Sequence, residues 1–275
     1  MSPINRDKAK YRIISSRYSI HLFVLAAAYR RNGRVWLLDG KRGIFTAEQA
    51  EARINPADDP HQQITRVISI ENTCNKGGGA VFPLDEIRRI RALCDRYGLS
   101  LHLDGARLFN AMVAAGTKPA DYGELFDTIS ICLSKGLGAP VGSLLLSTQD
   151  KIHKAHRVRK VFGGGMRQAG YLAAAGLYAL EHHVDRMAED HRKAAVLGAE
   201  LEKLPFVETL YPVETNILVF KLVPSANPAH FLDHLKQNGV LAVPFGGQYV
   251  RYVTHLDVSE EMLSPILDAS RSFKA

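Results

Sequence analysis

The chain has 275 residues, of which 46% are hydrophobic and 23% charged, as expected of a globular protein with room for a sizeable core. Its formal charge of +7 is spread over Lys and Arg interspersed with Asp and Glu, without a nucleic-acid-binding motif, so the charge fits an anionic small molecule at least as well as a polyanion. No apolar run reaches the roughly 18 residues of a membrane span; Cys74, Cys94 and Cys132 are odd in number and lack metal spacing, and the eleven histidines form no HExxH-like pattern, which sets aside membrane proteins, disulfide scaffolds and metal sites.

In chain order, residues 1–33 are rich in Arg and Lys, show no clean periodicity or cap, and stay unassigned. Within them Ile20 to Tyr29 is apolar and follows basic residues, as a signal peptide would. His21 interrupts the run and Arg30-Arg31 follow it directly, so a cytoplasmic protein is expected. From Val35 the pattern becomes regular. Val35-Trp36-Leu37-Leu38 reads as a strand, and Thr46-Ala47-Glu48-Gln49 is a capping box opening a short helix before Pro56. Arg66 to Ile70 is a β-branched strand that runs into Glu71-Asn72-Thr73-Cys74-Asn75 and the loop Gly77-Gly78-Gly79. Leu84, Ile87, Ile90 and Leu93 recur at helical spacing, and Gly98 stands where a helix ends in a left-handed residue.

Two strand endings then carry chemistry. Leu101-His102-Leu103 ends in Asp104-Gly105-Ala106-Arg107, and Ile129-Ser130-Ile131-Cys132-Leu133 ends in Ser134-Lys135-Gly136-Leu137-Gly138-Ala139-Pro140. As neighbouring strands of one sheet they deliver Asp104 and Lys135 to the same edge, where open α/β sheets bind ligands. Alone, the lysine reads as a solvated loop residue and the aspartate as a helix cap. Together, with glycines that allow close backbone approach, they match the needs of pyridoxal phosphate: an amine for a Schiff base and a carboxylate that keeps the ring nitrogen protonated.

Val141 to Leu146 adds a strand. After Gly163-Gly164-Gly165, residues 166–204 are Ala-rich and almost continuously helical in pattern, the expected bridge to a second unit. That unit is expected to hold strands near Thr215 to Lys221, Leu241 to Pro244 and Val250 to Thr254, with helices starting at Asn227-Pro228 and near Ser259. The domain expectation is therefore an unassigned segment 1–33, a partial large domain 34–165, a bridging helix 166–204 and a small C-terminal α+β domain 205–275. The alternation of strand and helix predicts a parallel or mixed sheet covered on both faces.

Assembled in register, Glu71-Asn72-Thr73, His102 to Arg107, Leu133 to Ser143, Gly163 to Gln168 and Arg251-Tyr252-Val253-Thr254-His255 resemble the low-specificity L-threonine aldolases, fold type I enzymes of the aspartate-aminotransferase-like α/β class. The resemblance runs from about Leu38 to the C-terminus. It implies that pyridoxal 5′-phosphate is bound, with Lys135 as the Schiff-base lysine beside Ser134, Asp104 on the ring nitrogen, and Arg107 next to the cofactor and substrate. It implies Arg251 on the substrate carboxylate, for which a planar guanidinium is suited, and Lys160 and Arg167 near the phosphate, within one subunit or across to a neighbour. The implied reaction is cleavage of threonine or allo-threonine to glycine and acetaldehyde by a homodimer or homotetramer. A β-eliminating amino-acid lyase and an inactive remnant are the alternatives.

Two departures from the family stand out. Cys74 occupies a position where the family commonly has a histidine assigned to the substrate hydroxyl, which makes Cys74 a catalytic candidate of a different chemical kind. Before residue 38 the family's Arg-Ser-Asp-Thr segment, Gly-Thr phosphate loop and ring-stacking histidine are not found, so a shortened chain with a weakened hold on phosphate is expected.

Overall fold

The structure, a computed structural model, describes residues 11–16 and 33–274. Most of the unassigned N-terminal segment, including the apolar run Ile20 to Tyr29, lies outside the described residues. The exception is a strand that the sequence pattern does not reveal: β1 (Tyr11–Ser16).

β1 joins β2 (Gly33–Leu38), β3 (Ile64–Glu71), β4 (Ser100–Gly105), β5 (Thr128–Cys132) and β6 (Ser143–Ser147) in one sheet of order β2-β1-β3-β4-β5-β6. All neighbours are parallel except β6, which runs antiparallel to β5. The sheet is therefore mixed. The β-branched character of β3 and the turn residues after β4 and β5 explain why these strands start and stop where they do.

Alternation along the strands gives the sheet two unlike faces. Ile68 and Ile70 of β3, Leu101 and Leu103 of β4 and Ile129 and Ile131 of β5 lie in register and are buried in the main core. Helix α2 (Leu84–Tyr97) covers them with Ile87, Ile90 and Leu93, its acidic first turn at Asp85 and Glu86 and its left-handed end at Gly98 agreeing with the sequence pattern. The intervening residues, Ser69 and Glu71, His102 and Asp104, Thr128 and Ser130, populate the opposite face. Burying one of the core leucines is worth about 1.5–3 kcal/mol, so the apolar face fixes the register, and with it the positions of the polar residues.

Helix α1 (Ala47–Glu51) starts at the expected capping box, with Thr46 Oγ1 accepting from Gln49 N and Gln49 Oε1 from Thr46 N. Between β4 and β5 come α3 (Leu108–Ala115) and α4 (Pro119–Gly123). Beyond β6, α5 (Gln149–Val161) is followed by two helices rather than one bridging helix: α6 (Gly170–His182) and α7 (Met187–Leu201), separated by a bend at residues 183–186. The small unit is an antiparallel sheet of order β7-β8-β10-β9, formed by β7 (Val207–Leu210), β8 (Ile217–Leu222), β9 (Val243–Gly246) and β10 (Tyr249–Val253). α7, α8 (Pro228–Gln237) and α9 (Leu263–Arg271) pack on it around Phe220, Phe231 and Leu235. Asn227 caps α8 by accepting from Ala229 N and His230 N, with Pro228 at the first helical position.

Candidate functional site

Parallel pairing brings the ends of β3, β4 and β5 to one edge. Glu71 is register partner of Asp104, and Gly105 of Ile131, one residue before β5 ends. The sheet thus delivers Glu71, Asp104 and the Ser134-Lys135 turn to a common edge, as the strand endings imply. Asp104 is half-buried, and one of its carboxylate oxygens accepts from Ala106 N at 3.1 Å, which shapes the turn into α3. Lys135 is half-buried and its amine makes no hydrogen bond or ion pair among the described residues. Ser134 is exposed. A primary amine left unpaired at the edge that carries a carboxylate is a donor set that fits an aldehyde-bearing pyridine cofactor.

Behind Asp104 on the same face of β4, His102 Nδ1 lies 2.7 Å from Thr128 Oγ1. Burial pushes the imidazole's pKa down, and the nearby Asp104 only partly offsets this.

A second cluster faces this edge from the small sheet. Arg251, on β10, donates from Nη1 to Asn75 Oδ1 at 2.7 Å, and Arg107 Nη1 reaches the same oxygen at 3.5 Å. Asn75 N donates in turn to Glu71 Oε1 at 3.2 Å. Arg251 also stacks on the Phe245 ring, 5.2 Å from its centroid, and its Nε is buried without a partner. Burial lowers the basicity of both guanidiniums, and for Arg107 the charge of Arg251 adds to it. Two half-buried cations share one neutral amide oxygen, Glu71 and Asp104 lie near Arg107, and Arg251 keeps a spare buried N–H for an anionic ligand.

The glycine loop positions Asn75. Gly77 N and Gly79 N donate to the Cys74 carbonyl, and Gly78 N to the Asn75 carbonyl. Arg42 clamps the loop from outside: Nε donates to the Gly77 carbonyl at 2.7 Å, Nη2 to the Pro212 carbonyl at 2.9 Å, and Nη1 pairs with Glu214. Thr215 Oγ1 donates to the Gly79 carbonyl at 2.9 Å. The segment 211–215, leading into β8, is thereby tied to the loop that carries Asn75.

The other candidates stand apart. Cys74 is fully buried, its thiol donates to the Glu71 carbonyl at 3.2 Å, and burial, with Glu71 nearby, pushes its pKa well above the usual thiol range. A proton base in that position would need the reverse, and the buried thiol faces the Glu71 carbonyl instead of the open edge. Lys160, on α5, and Arg167, beyond its end, are exposed and make no hydrogen bond or ion pair with the edge residues among the described residues. Sequence reasoning did not single out Asn75, Arg42 or Phe245. Asn75 stood inside the quoted glycine-loop string, whose run of glycines was the available signal. No cluster of three or more His, Cys, Asp or Glu among the described residues is arranged to hold a metal ion, and no described helix is long and apolar enough to cross a membrane.

Comparison with known proteins adds the family context. The model of the beta-eliminating lyase family matches residues 12–223, which reaches through β1 and starts well before Leu38, where the motifs become legible. The low specificity L-threonine aldolase of Escherichia coli (strain K12) is 42% identical over 235 residues, covering 85% of this chain and 67% of that protein. A probable low-specificity L-threonine aldolase 2 of Arabidopsis thaliana is 39% identical over 225 residues, 81% of this chain and 63% of the relative. The chain spans about two thirds of the length of these relatives. Among solved structures, a threonine aldolase of Leishmania major superposes with a TM-score of 0.79 at 21% identity, covering 96% of this chain and 78% of the other. A serine palmitoyltransferase of Sphingomonas wittichii gives 0.69 at 17% identity, over 96% and 66%. At those identities the structures establish the fold, a large mixed sheet with a smaller antiparallel one.

Proposed function

The chain belongs to the beta-eliminating lyase family, and on that premise we propose that it is a pyridoxal-phosphate-dependent aldolase that cleaves threonine or allo-threonine to glycine and acetaldehyde. The observation that carries this reading is the convergence of Arg107 and Arg251 on Asn75 Oδ1 at the edge that also holds Asp104 and Lys135.

Lys135 would hold the cofactor through its amine, and Asp104 would offer its carboxylate to the ring nitrogen. Bound pyridoxal phosphate supplies an electron sink conjugated to the substrate nitrogen. Arg251 holds the substrate carboxylate through two parallel N–H donors, one of them the buried Nε, while Arg107 adds a donor from the other side. Holding the carboxylate would orient the substituents on Cα and so help choose which of its bonds breaks. Orientation of this kind is worth several kcal/mol of barrier. Cys74 is closed to solvent, so the β-hydroxyl proton leaves by another acceptor. Ser134 borders the lysine at the exposed end of the turn. Lys160 and Arg167, exposed on and beyond α5, are proposed to act on the cofactor phosphate from a neighbouring subunit.

That last assignment requires an oligomer, and the surface supports one. Helix α5 buries none of its residues, β6 exposes Leu144, Leu145 and Leu146, and α6 exposes Tyr171, Leu177 and Tyr178. We infer that copies of this chain meet across these elements in a homodimer or homotetramer located in the cytoplasm.

The test is to incubate the protein with pyridoxal phosphate, reduce with borohydride and map the pyridoxyl group by peptide mass spectrometry, then assay threonine. Label confined to Lys135 together with equimolar glycine and acetaldehyde is expected. Pyruvate and ammonia would transfer the reading to a β-eliminating lyase, and soluble protein without specific label would end it.

A further inference from the structure

The turn that carries Lys135 packs in a small cluster beside the main core. Leu133, Leu137 and Ala139 pack with Ala179 of α6 and Met187 at the start of α7, and Phe109 of α3 borders both this cluster and the main core. Three backbone hydrogen bonds close the turn: Leu133 N to Gly142 O at 2.9 Å, Gly138 N to Lys135 O at 2.8 Å, and Ala139 N to Leu133 O at 3.1 Å. None of these reaches outside it. The sheet anchors both ends of the turn through β5 and β6, and what lies beneath it holds the middle that carries Lys135.

The seat is the bend between α6 and α7. His183, the residue that ends α6, turns its ring so that Nδ1 donates to the Leu137 carbonyl at 2.6 Å. Tyr178 backs the imidazole edge-on at 5.5 Å between ring centroids. Between Lys135 and Leu137, Gly136 lies so close to the floor that a Cβ there would stand 3.0 Å from Asn110 Oδ1 and 3.3 Å from Met187 Cε. Asn110 is 1% exposed and donates from Nδ2 to His191 Nε2 on α7 at 3.1 Å. The two residues that follow the lysine are thus supported from below, Leu137 by the His183 ring of the bend and Gly136 by close packing on Asn110 of α3 and Met187 of α7.

We propose that this bend is the device that positions Lys135, with His183 its principal positioning residue and the Asn110–His191 pair its second support. The proposal rests on the reading of Lys135 as the Schiff-base lysine. It assigns a function to a histidine that no strand-end motif contains. His183 touches the carbonyl of a residue two beyond the lysine, so it acts through the turn and not on the reacting atoms.

Asparagine at position 183 would place an amide N–H close to where Nδ1–H stands, whereas alanine removes the donor. Two readouts separate positioning from general stability. The first needs no cofactor: hydrogen exchange of the amides of Leu133, Gly138 and Ala139 in the peptide spanning 132–142. The second is the fraction of Lys135 labelled by pyridoxal phosphate and borohydride at subsaturating cofactor. Losing one hydrogen bond to a fixed carbonyl is expected to raise exchange and lower labelling in His183→Ala by about fivefold each. His183→Asn should restore most of both, and exchange in α2 should not change. The proposal is overturned if His183→Ala leaves labelling unchanged, whether or not exchange rises, or if His183→Asn is no better than His183→Ala. If wild-type protein takes no label at Lys135 while exchange still responds to His183→Ala, the Schiff-base reading has failed and the bend is only a structural support.

Discussion

At Asn75 one amide oxygen faces two guanidinium groups, and its neutrality is what leaves both cations available to a ligand. A carboxylate in its place would satisfy them internally. Asn75→Asp should therefore raise the KM for threonine by an order of magnitude, about the strength of one charge-assisted pair, with a much smaller effect on kcat. An unchanged KM would show that the substrate carboxylate does not bind there. The buried thiols set a different expectation, one of stability against pH. Burial holds Cys94 at about 12 and pushes Cys74 up as well. In the unfolded chain both titrate near about 8.5. A raised folded pKa means that the contribution is complete below the unfolded value and is lost as pH rises towards the folded one. Stability should be level to about pH 8 and then fall, by up to ~1.4 kcal/mol per pH unit for each thiol. Urea midpoints at pH 7.5 and 10 check the sign, and a midpoint that rises with pH would contradict it.

Two glycines at the ends of neighbouring elements separate backbone strain from contact. Gly98 ends α2 at φ +62° with nothing within 4 Å of a built Cβ, so Gly98→Ala should cost only the left-handed penalty, about 1 kcal/mol, and leave the site alone. At Gly77 a Cβ would stand 1.9 Å from the Arg42 carbonyl, a backbone atom of the clamp on the Asn75 loop. Gly77→Ala should cost about 2–4 kcal/mol and also weaken substrate binding, because the loop cannot relax without moving Asn75. Denaturation curves and KM for the two variants check this pair. Equal costs would mean that the clamp yields freely. The same elements mark what the sequence revealed. Gly98, the Thr46 box, Asp104 and Lys135 were legible because capping, turn chemistry and strand endings are local. β1 was not: Tyr11–Ser16 is a short run amid basic residues, and its strand character comes from pairing with β2 and β3 on either side. The break between α6 and α7 was hidden by Ala-rich text, since the partner of His183 lies 46 residues away in sequence. Arg251 was legible only through its motif, because the loop it meets is 176 residues distant.

For the molecule as a whole the question is what stabilises α5 and β6. A thirteen-residue helix with no buried residue gains almost nothing from its own chain, and helices of that length are marginal alone in water. β6 ends the described sheet with its leucines open. Unpartnered strand edges and apolar patches of this kind mark association surfaces. The face also carries Lys154, Arg157, Arg159 and Lys160 along α5, while Lys151 pairs with Asp127, so copies meeting across it bring like charges together. Two consequences follow from that combination. Apolar contact drives association, so Val161→Asp with Phe162→Ser, at positions 59% and 52% exposed, should shift the protein to a smaller species in size-exclusion chromatography with light scattering. Charge opposes it, so raising salt from about 0.05 to about 0.5 M, which shortens the screening length severalfold, should strengthen association, not weaken it. A wild-type monomer at every salt concentration would remove the oligomer and, with it, the proposed reach of Lys160 and Arg167 into a neighbouring site. An oligomer that instead dissolves with salt would place the contact on a different, charge-complementary face.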